Sequence, residues 1–132
     1  MTIHLDTSVM VDAFTGTRPL LRELRTAGSQ GHRLASSAPV MFEWLRGPRV
    51  DIELQLQREL CPAYRIVVFG SAEAGVAANI YKNVKRARGR EIDIAIAACA
   101  IEHNAALWTV NPADFKDIPG LKLYVAPGTS LA

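Results

Sequence analysis

Gly89-Arg90-Glu91-Ile92-Asp93-Ile94-Ala95-Ile96-Ala97-Ala98-Cys99-Ala100-Ile101 decides how the chain reads. From Ile92 to Ile101 every residue except Asp93 is apolar. A helix of that composition has no polar face and is buried nearly all round. The carboxylate near its start then needs a hydrogen bond, a cation or a proton, because an unpaired buried charge is expensive. Service to the helix dipole would explain one such acid. Two more stand in the same setting. Asp6 lies in Ile3-His4-Leu5-Asp6-Thr7-Ser8-Val9-Met10-Val11, and Glu43 lies in Val40-Met41-Phe42-Glu43-Trp44-Leu45. Three acids in separate apolar stretches read as one site assembled from distant parts. A hard divalent cation, magnesium or manganese, is the simplest common partner for them.

The totals agree with a single globular domain spanning residues 1–132, 49% hydrophobic and 21% charged. The net charge of +2 is too small to demand a polyanionic partner, so the distribution of charge matters more. Cys61 and Cys99 do not make a disulfide framework, and Cys99 reads as a small apolar filler. Reduced thiols and no recognisable signal peptide give a cytoplasmic expectation. No apolar run approaches the ~20 residues of a membrane helix. Other chemistries find no support. His4, His32 and His103 lack partners at zinc spacing, Ser8 has no triad around it, and Gly28-x-x-Gly31 lacks the Gly-Lys-Ser/Thr of a phosphate loop.

In chain order, Thr2 to Leu5 reads as a strand, and Asp6-Thr7-Ser8 opens a helix to about Phe14. Leu20, Leu21 and Leu24 mark a second helix, and Ala27 to Gly31 reads as a loop. His32 to Ser36 is a second strand. Ser37 is the expected cap of a helix carrying Pro39 and Glu43 and ending at Gly47-Pro48. Ile52, Leu56 and Leu60 place a helix over Val50 to Leu60. A β-branched run makes Tyr64 to Phe69 a third strand, and Gly70-Ser71 begins a helix expected to reach about Arg88. The Asp93 helix follows to about Asn104, then strands at Ala106 to Val110 and Leu121 to Val125. Alternating strands and helices imply an α/β fold with a central, mainly parallel sheet flanked by helices. Sites in such sheets lie beyond the carboxyl ends of the strands. Asp6 follows the first strand, Asp114 follows the fourth, and Glu43 and Asp93 lie near helix starts at that same edge.

These pieces resemble a PIN domain, most closely a VapC-type toxin of a bacterial toxin–antitoxin system, over nearly the whole chain. The marks are Leu5-Asp6-Thr7-Ser8, Glu43 followed by Leu45-Arg46-Gly47, Gly89, Asp93 leading Ile96-Ala97-Ala98-Cys99-Ala100, and Thr109-Val110-Asn111-Pro112-Ala113-Asp114-Phe115. The resemblance implies a PIN-like three-layer fold and a Mg2+- or Mn2+-dependent endoribonuclease. It also implies a homodimer held in check by a cognate antitoxin. By position Asp6, Glu43 and Asp93 match the family's first three acids, with Asp6 and Asp93 as direct metal ligands. The fourth position stays open between Asn111 and Asp114.

Thr7, Ser8, Thr109 and Asn111 are short polar groups suited to orienting those carboxylates or a phosphate. Capping and turn formation serve equally well for Ser8 and Asn111. The basic run Lys82, Lys85, Arg86, Arg88 and Arg90 leads into the Asp93 helix and is placed to grip RNA phosphates. Its plainer reading is a solvated helix end. Val9, Met10, Val11, Phe14, Leu20, Leu21 and Leu24, and again Phe42, Trp44 and Leu45, serve either the core or a partner. Two rival readings remain. A phosphoacceptor receiver domain needs an Asp after the third strand, where Phe69-Gly70-Ser71 offers none, and a Lys at the site, where Lys122 lies inside the fifth strand. A non-catalytic PIN-like RNA-binding module would keep the fold without the chemistry.

Overall fold

The structure, a computed structural model, describes residues 1–127. Five strands, β1 (Thr2–Leu5), β2 (Arg33–Ser37), β3 (Ile66–Val67), β4 (Ala106–Trp108) and β5 (Lys122–Leu123), form one sheet in the order β3-β2-β1-β4-β5. Every neighbouring pair is parallel. Six α-helices fill the connections: α1 (Thr7–Phe14), α2 (Leu21–Ser29), α3 (Ala38–Arg46), α4 (Asp51–Leu60), α5 (Ser71–Asn83) and α6 (Glu91–Glu102). The order differs from the 2-1-3-4-5 arrangement of receiver-type sheets, which removes that rival.

Strand β1 runs through the middle and is buried on both faces. Its alternation sends Ile3 and Leu5 to one face and His4 and Asp6 to the other. The His4 ring lies 6.2 Å from that of His103 at the end of α6, so Asp6 shares the face of α6. His4 is packed without a hydrogen bond to either ring nitrogen. Burial, and then the neighbouring His103, push its pKa down to about 4, so it serves the core as a neutral ring. Helix α6 is buried at Ile94 and from Ile96 to Ala100, as its composition suggests, but Ile92 is exposed and Ala95 and Ile101 are only partly buried. Helix α1 packs against α2, α3 and α4. Val9, Met10, Phe14, Leu24 and Trp44 are all fully buried and form core rather than partner surface. Phe42 and Leu45, on the other side of α3, are more than half exposed.

Several boundaries differ from the sequence reading. Helix α2 continues through Ala27 to Ser29, because Ala27 packs into the core. Strand β3 keeps only Ile66–Val67, since Ala63–Arg65 winds into a 3-10 turn. The last two strands are shorter than expected, and Ser37 ends β2 without using its hydroxyl as a cap. The largest difference concerns α5, which stops at Asn83 rather than near Arg88. Ile80, Val84 and Ala87 repeat at helical spacing and all join the core, so the pattern reads as helix. The hydrogen bonds go elsewhere. In a helix the Lys85 carbonyl would accept from the Gly89 N–H. Here the Gly89 N–H donates to Glu91 Oε1 at 2.6 Å, and the Lys85 carbonyl accepts from the Arg90 guanidinium at 3.2 Å. Arg86 (φ 55°) and Gly89 (φ 88°) turn the chain left-handed between them. The basic residues 85–88 therefore sit on a turn and not along a helix.

Candidate active site

Asp6 is fixed from both sides by its own backbone. Its N–H donates to the Trp108 carbonyl at 2.9 Å, extending the β1–β4 ladder, and its carbonyl accepts from Val9 and Met10 at the start of α1. The side chain, 6% exposed, does not cap the helix. Its Oδ2 accepts two hydroxyls instead, Ser8 Oγ at 2.8 Å and Thr109 Oγ1 at 2.7 Å. Those hydroxyls are held in turn. Val110 N–H donates to Ser8 Oγ at 3.2 Å, and Asn111 N–H donates to Thr109 Oγ1 at 3.0 Å. The segment after β4 is thus locked to the segment after β1 through one carboxylate oxygen.

Glu43 reaches the same edge from the middle of α3. Its Oε1 accepts Thr7 Oγ1 at 2.7 Å, and its Oε2 faces the exposed Arg46 guanidinium at 3.6 Å. Asp93 lies half-buried in the first turn of α6. Its pKa is pushed up to about 6, first by burial, then by the negative charges of Asp6, Asp114 and Glu43, with Arg90 opposing. Three acids from three other segments thus raise the proton affinity of the fourth. Asp114 sits exposed in a 3-10 turn, Pro112–Asp114. Asn111 stands before that turn and supplies backbone bonds to it, accepting from Asp114 N–H at 3.0 Å. The charge felt at Asp93 is therefore that of Asp114, while Asn111 serves the turn.

The donor set suits a hard cation, because carboxylates that repel one another this way are satisfied by positive charge. The side chains are not drawn into a closed cage: among the described residues no three His, Cys, Asp or Glu side chains are grouped as a ready metal-binding set. Thr7 donates its hydroxyl to Glu43, and Ser8 and Thr109 donate theirs to Asp6. Of the basic run, Lys82 lies in the last turn of α5 and Lys85, Arg86 and Arg88 are exposed on the turn after it. Arg90 is engaged elsewhere. It forms a bidentate pair with Asp117 at 2.7 and 2.8 Å and donates to the Asp114 carbonyl at 3.0 Å. Asp117 went unnoticed in the sequence, since a pair 27 residues apart leaves no local pattern.

The chain is thus a parallel α/β domain in which Asp6, Glu43 and Asp114 all bear on the charge of Asp93. The sequence model of the PIN domain matches residues 3–121, and the chain belongs to that family. None of the curated proteins compared with it matches. Among solved structures, a chain of VapBC2 from Rickettsia felis, bound to a DNA fragment from their promoter, superposes with a TM-score of 0.74 at 22% identity, covering 94% of this chain and 98% of that one. FitAcB from Neisseria gonorrhoeae gives 0.69 at 22% identity, over 95% of this chain and 97% of that one. VapBC-1 from nontypeable Haemophilus influenzae gives 0.69 at 24% identity, over 94% and 97%. At these identities the likeness is one of fold. No helix among the described residues is long and apolar enough to cross a membrane.

Proposed function

We propose that this PIN domain is a Mg2+- or Mn2+-dependent endoribonuclease and the toxin of a type II toxin–antitoxin pair, acting in the cytoplasm as a homodimer. The observation that supports the chemistry is the oriented pair of acids, Asp6 held by Ser8 and Thr109 and Glu43 held by Thr7, with Asp6, Asp114 and Glu43 adding to burial in pushing the Asp93 pKa up to about 6. A divalent cation would relieve the repulsion among such acids. Asp6 and Asp93 would hold the principal ion, Glu43 would bind it through water or orient the attacking water, and Asp114 would supply the fourth position. A bound divalent ion supplies polarisation of the phosphate and a water of lowered pKa. Ser8 and Thr109 keep Asp6 in one orientation throughout, so no reorganisation is needed when substrate arrives. Lys82, Lys85, Arg86 and Arg88 grip the RNA backbone beside the acids.

The antitoxin partner is supported by the fold, whose solved relatives include toxin–antitoxin complexes, one of them from Klebsiella pneumoniae. Exposed Phe42 and Leu45, next to Glu43 on α3, suit an apolar segment of such a protein. The test is incubation of total RNA with the purified chain and Mg2+ or Mn2+, against Asp93→Asn and a chelator control. Discrete products lost in both controls establish the reading. A folded wild type, free of co-purified antitoxin and stabilised by Mn2+, that cleaves nothing would make the chain a binding module.

A further inference from the structure

We infer that Arg90 is a positioning residue: its guanidinium ties the start of the Asp93 helix to the Asp114 turn and so sets how far apart those two acids stand. The inference rests on the metal-dependent reading of the site. Arg90 is three residues before Asp93, and Asp117 is three residues after Asp114. The bidentate pair between them, at 2.7 and 2.8 Å, closes a short bridge whose two ends carry the two acids. Nη2 also holds the Asp114 carbonyl at 3.0 Å, and Nη1 holds the Lys85 carbonyl at 3.2 Å. One planar fork thus fastens three segments: the basic turn, the first turn of α6 and the Asp114 turn. Lysine has no such fork and cannot reproduce it.

The same geometry argues against a phosphate for Arg90. Both of its terminal nitrogens are committed, and its side chain is only 22% exposed. Its positive charge still reaches Asp93 and Asp114, tempering their repulsion. The Asp114 turn has other anchors, since Phe115 and Ile118 are buried in the core. Loss of the bridge therefore loosens Asp114 without unfolding the domain. An ion pair whose acid is 47% exposed contributes little to global stability. The expected signature is a large effect on metal binding beside a small one on melting.

The experiment compares the full chain with Arg90→Lys, Arg90→Ala, Asp117→Asn and the double variant Arg90→Ala/Asp117→Asn. Hydrogen exchange on the metal-free proteins should quicken at residues 111–117 in all four. The Mn2+ concentration for half-maximal binding, read by calorimetry, should rise about tenfold, as for other groups that orient metal ligands. The double variant should be no worse than Arg90→Ala alone, because both changes break one bridge. RNA affinity and its salt dependence should stay as in the wild type. The inference falls if Arg90→Ala weakens RNA binding and flattens its salt dependence while Asp117→Asn leaves Mn2+ binding unchanged. It falls equally if exchange at 111–117 does not move. Neither readout needs RNA cleavage, so failure of the nuclease reading and failure of the bridge are told apart.

Discussion

Asp6 and Asp93 serve one centre, yet they are held in opposite ways. Asp6 is almost fully buried and receives two hydroxyl hydrogen bonds on one oxygen. Its position is set by neutral donors that follow from the β1–β4 pairing. Asp93 is half-buried, and among the described residues no hydrogen bond reaches its carboxylate. Helix α6 fixes where it stands, and the surrounding charges determine whether it is ionised. One half of the site is thus built in the absence of metal, while the other half waits for a proton or a cation. A centre made wholly like Asp6 would satisfy its acids internally and have little use for an ion. One made wholly like Asp93 would repel itself apart.

The sharpest way to break this contrast is to neutralise each acid in turn. Asp6→Asn and Asp93→Asn should each reduce metal-dependent RNA cleavage by at least about 10²–10³-fold, the scale for losing one group that stabilises transition-state charge. Their melting temperatures without metal, at pH 7.5, should move in opposite directions. Asp93→Asn relieves burial of a charge and repulsion from three others, so it should melt higher by up to ~4 °C, the shift that about 1 kcal/mol produces in a domain of this size. Asp6→Asn replaces charge-assisted hydrogen bonds with neutral ones and should melt lower by a similar amount. Scanning calorimetry that found both variants shifted the same way would erase the distinction.

The second effect is removal of a hydroxyl. Thr109→Val takes a donor from Asp6 and an acceptor from Asn111 N–H. A cost of about 1–3 kcal/mol in unfolding free energy follows, with a 10–100-fold loss in Mn2+ affinity or cleavage rate. Thr109→Ser should recover most of both. Urea unfolding of the three proteins measures the first quantity, and a Mn2+ titration measures the second.

How much of this was legible in the sequence follows the same division. Asp6, Glu43 and Asp93 were conspicuous because each stood among apolar neighbours, and burial of those neighbours is a local property that pattern reveals. The parallel sheet followed from alternation of strands and helices. The network that orients Asp6 was visible only as residue types, since Thr109 meets Asp6 across 103 residues. The end of α5 is hidden in the sequence because Ile80, Val84 and Ala87 keep helical spacing beyond the helix. The helix ends where Val84 turns extended (ψ 152°) and Arg86 turns left-handed, and in the turn that follows the Lys85 carbonyl accepts from Arg90, itself paired with Asp117. Apolar periodicity does not report such a backbone turn, and the Arg90–Asp117 pair beside it spans 27 residues.

The third effect is the pH dependence of Asp93. Its pKa rises from the ordinary 3.8 to about 6 on folding, so the folded state favours the protonated acid. The stability contributed by that preference is complete below about pH 4 and is lost as pH climbs through about 6. Metal-free wild type should therefore lose part of its melting temperature between pH 4.5 and 7, and Asp93→Asn should lack that component. Mn2+ reverses the sense. Protons compete with the ion for the same carboxylate, so the Mn2+ needed for half-maximal binding should climb as pH falls below 6. A pair of melting curves with and without Mn2+ across this range separates the two arms. A wild type whose pH profile matches that of Asp93→Asn would place the repulsion elsewhere in the cluster.

The smallest effect concerns the turn beside Asp93. Replacing Lys85 and Arg86 with Gln removes two exposed charges that take no ion pair among the described residues. Folding should be untouched, and affinity for single-stranded RNA should fall. The slope of log K against log salt should drop by about 1.4, since each phosphate neutralised on a single strand contributes about 0.7. This sharpens the comparison because it asks which cations belong to the substrate and which to the site. Lys85 and Arg86 are exposed on a turn whose backbone Arg90 holds at the Lys85 carbonyl. If the slope drops and Arg90→Ala leaves it unchanged, the turn reads phosphate and Arg90 does not. If the slope holds while Arg90→Ala lowers it, the cation that touches RNA is the one locked beside Asp93, and the charge-governed half of the site extends from metal to substrate.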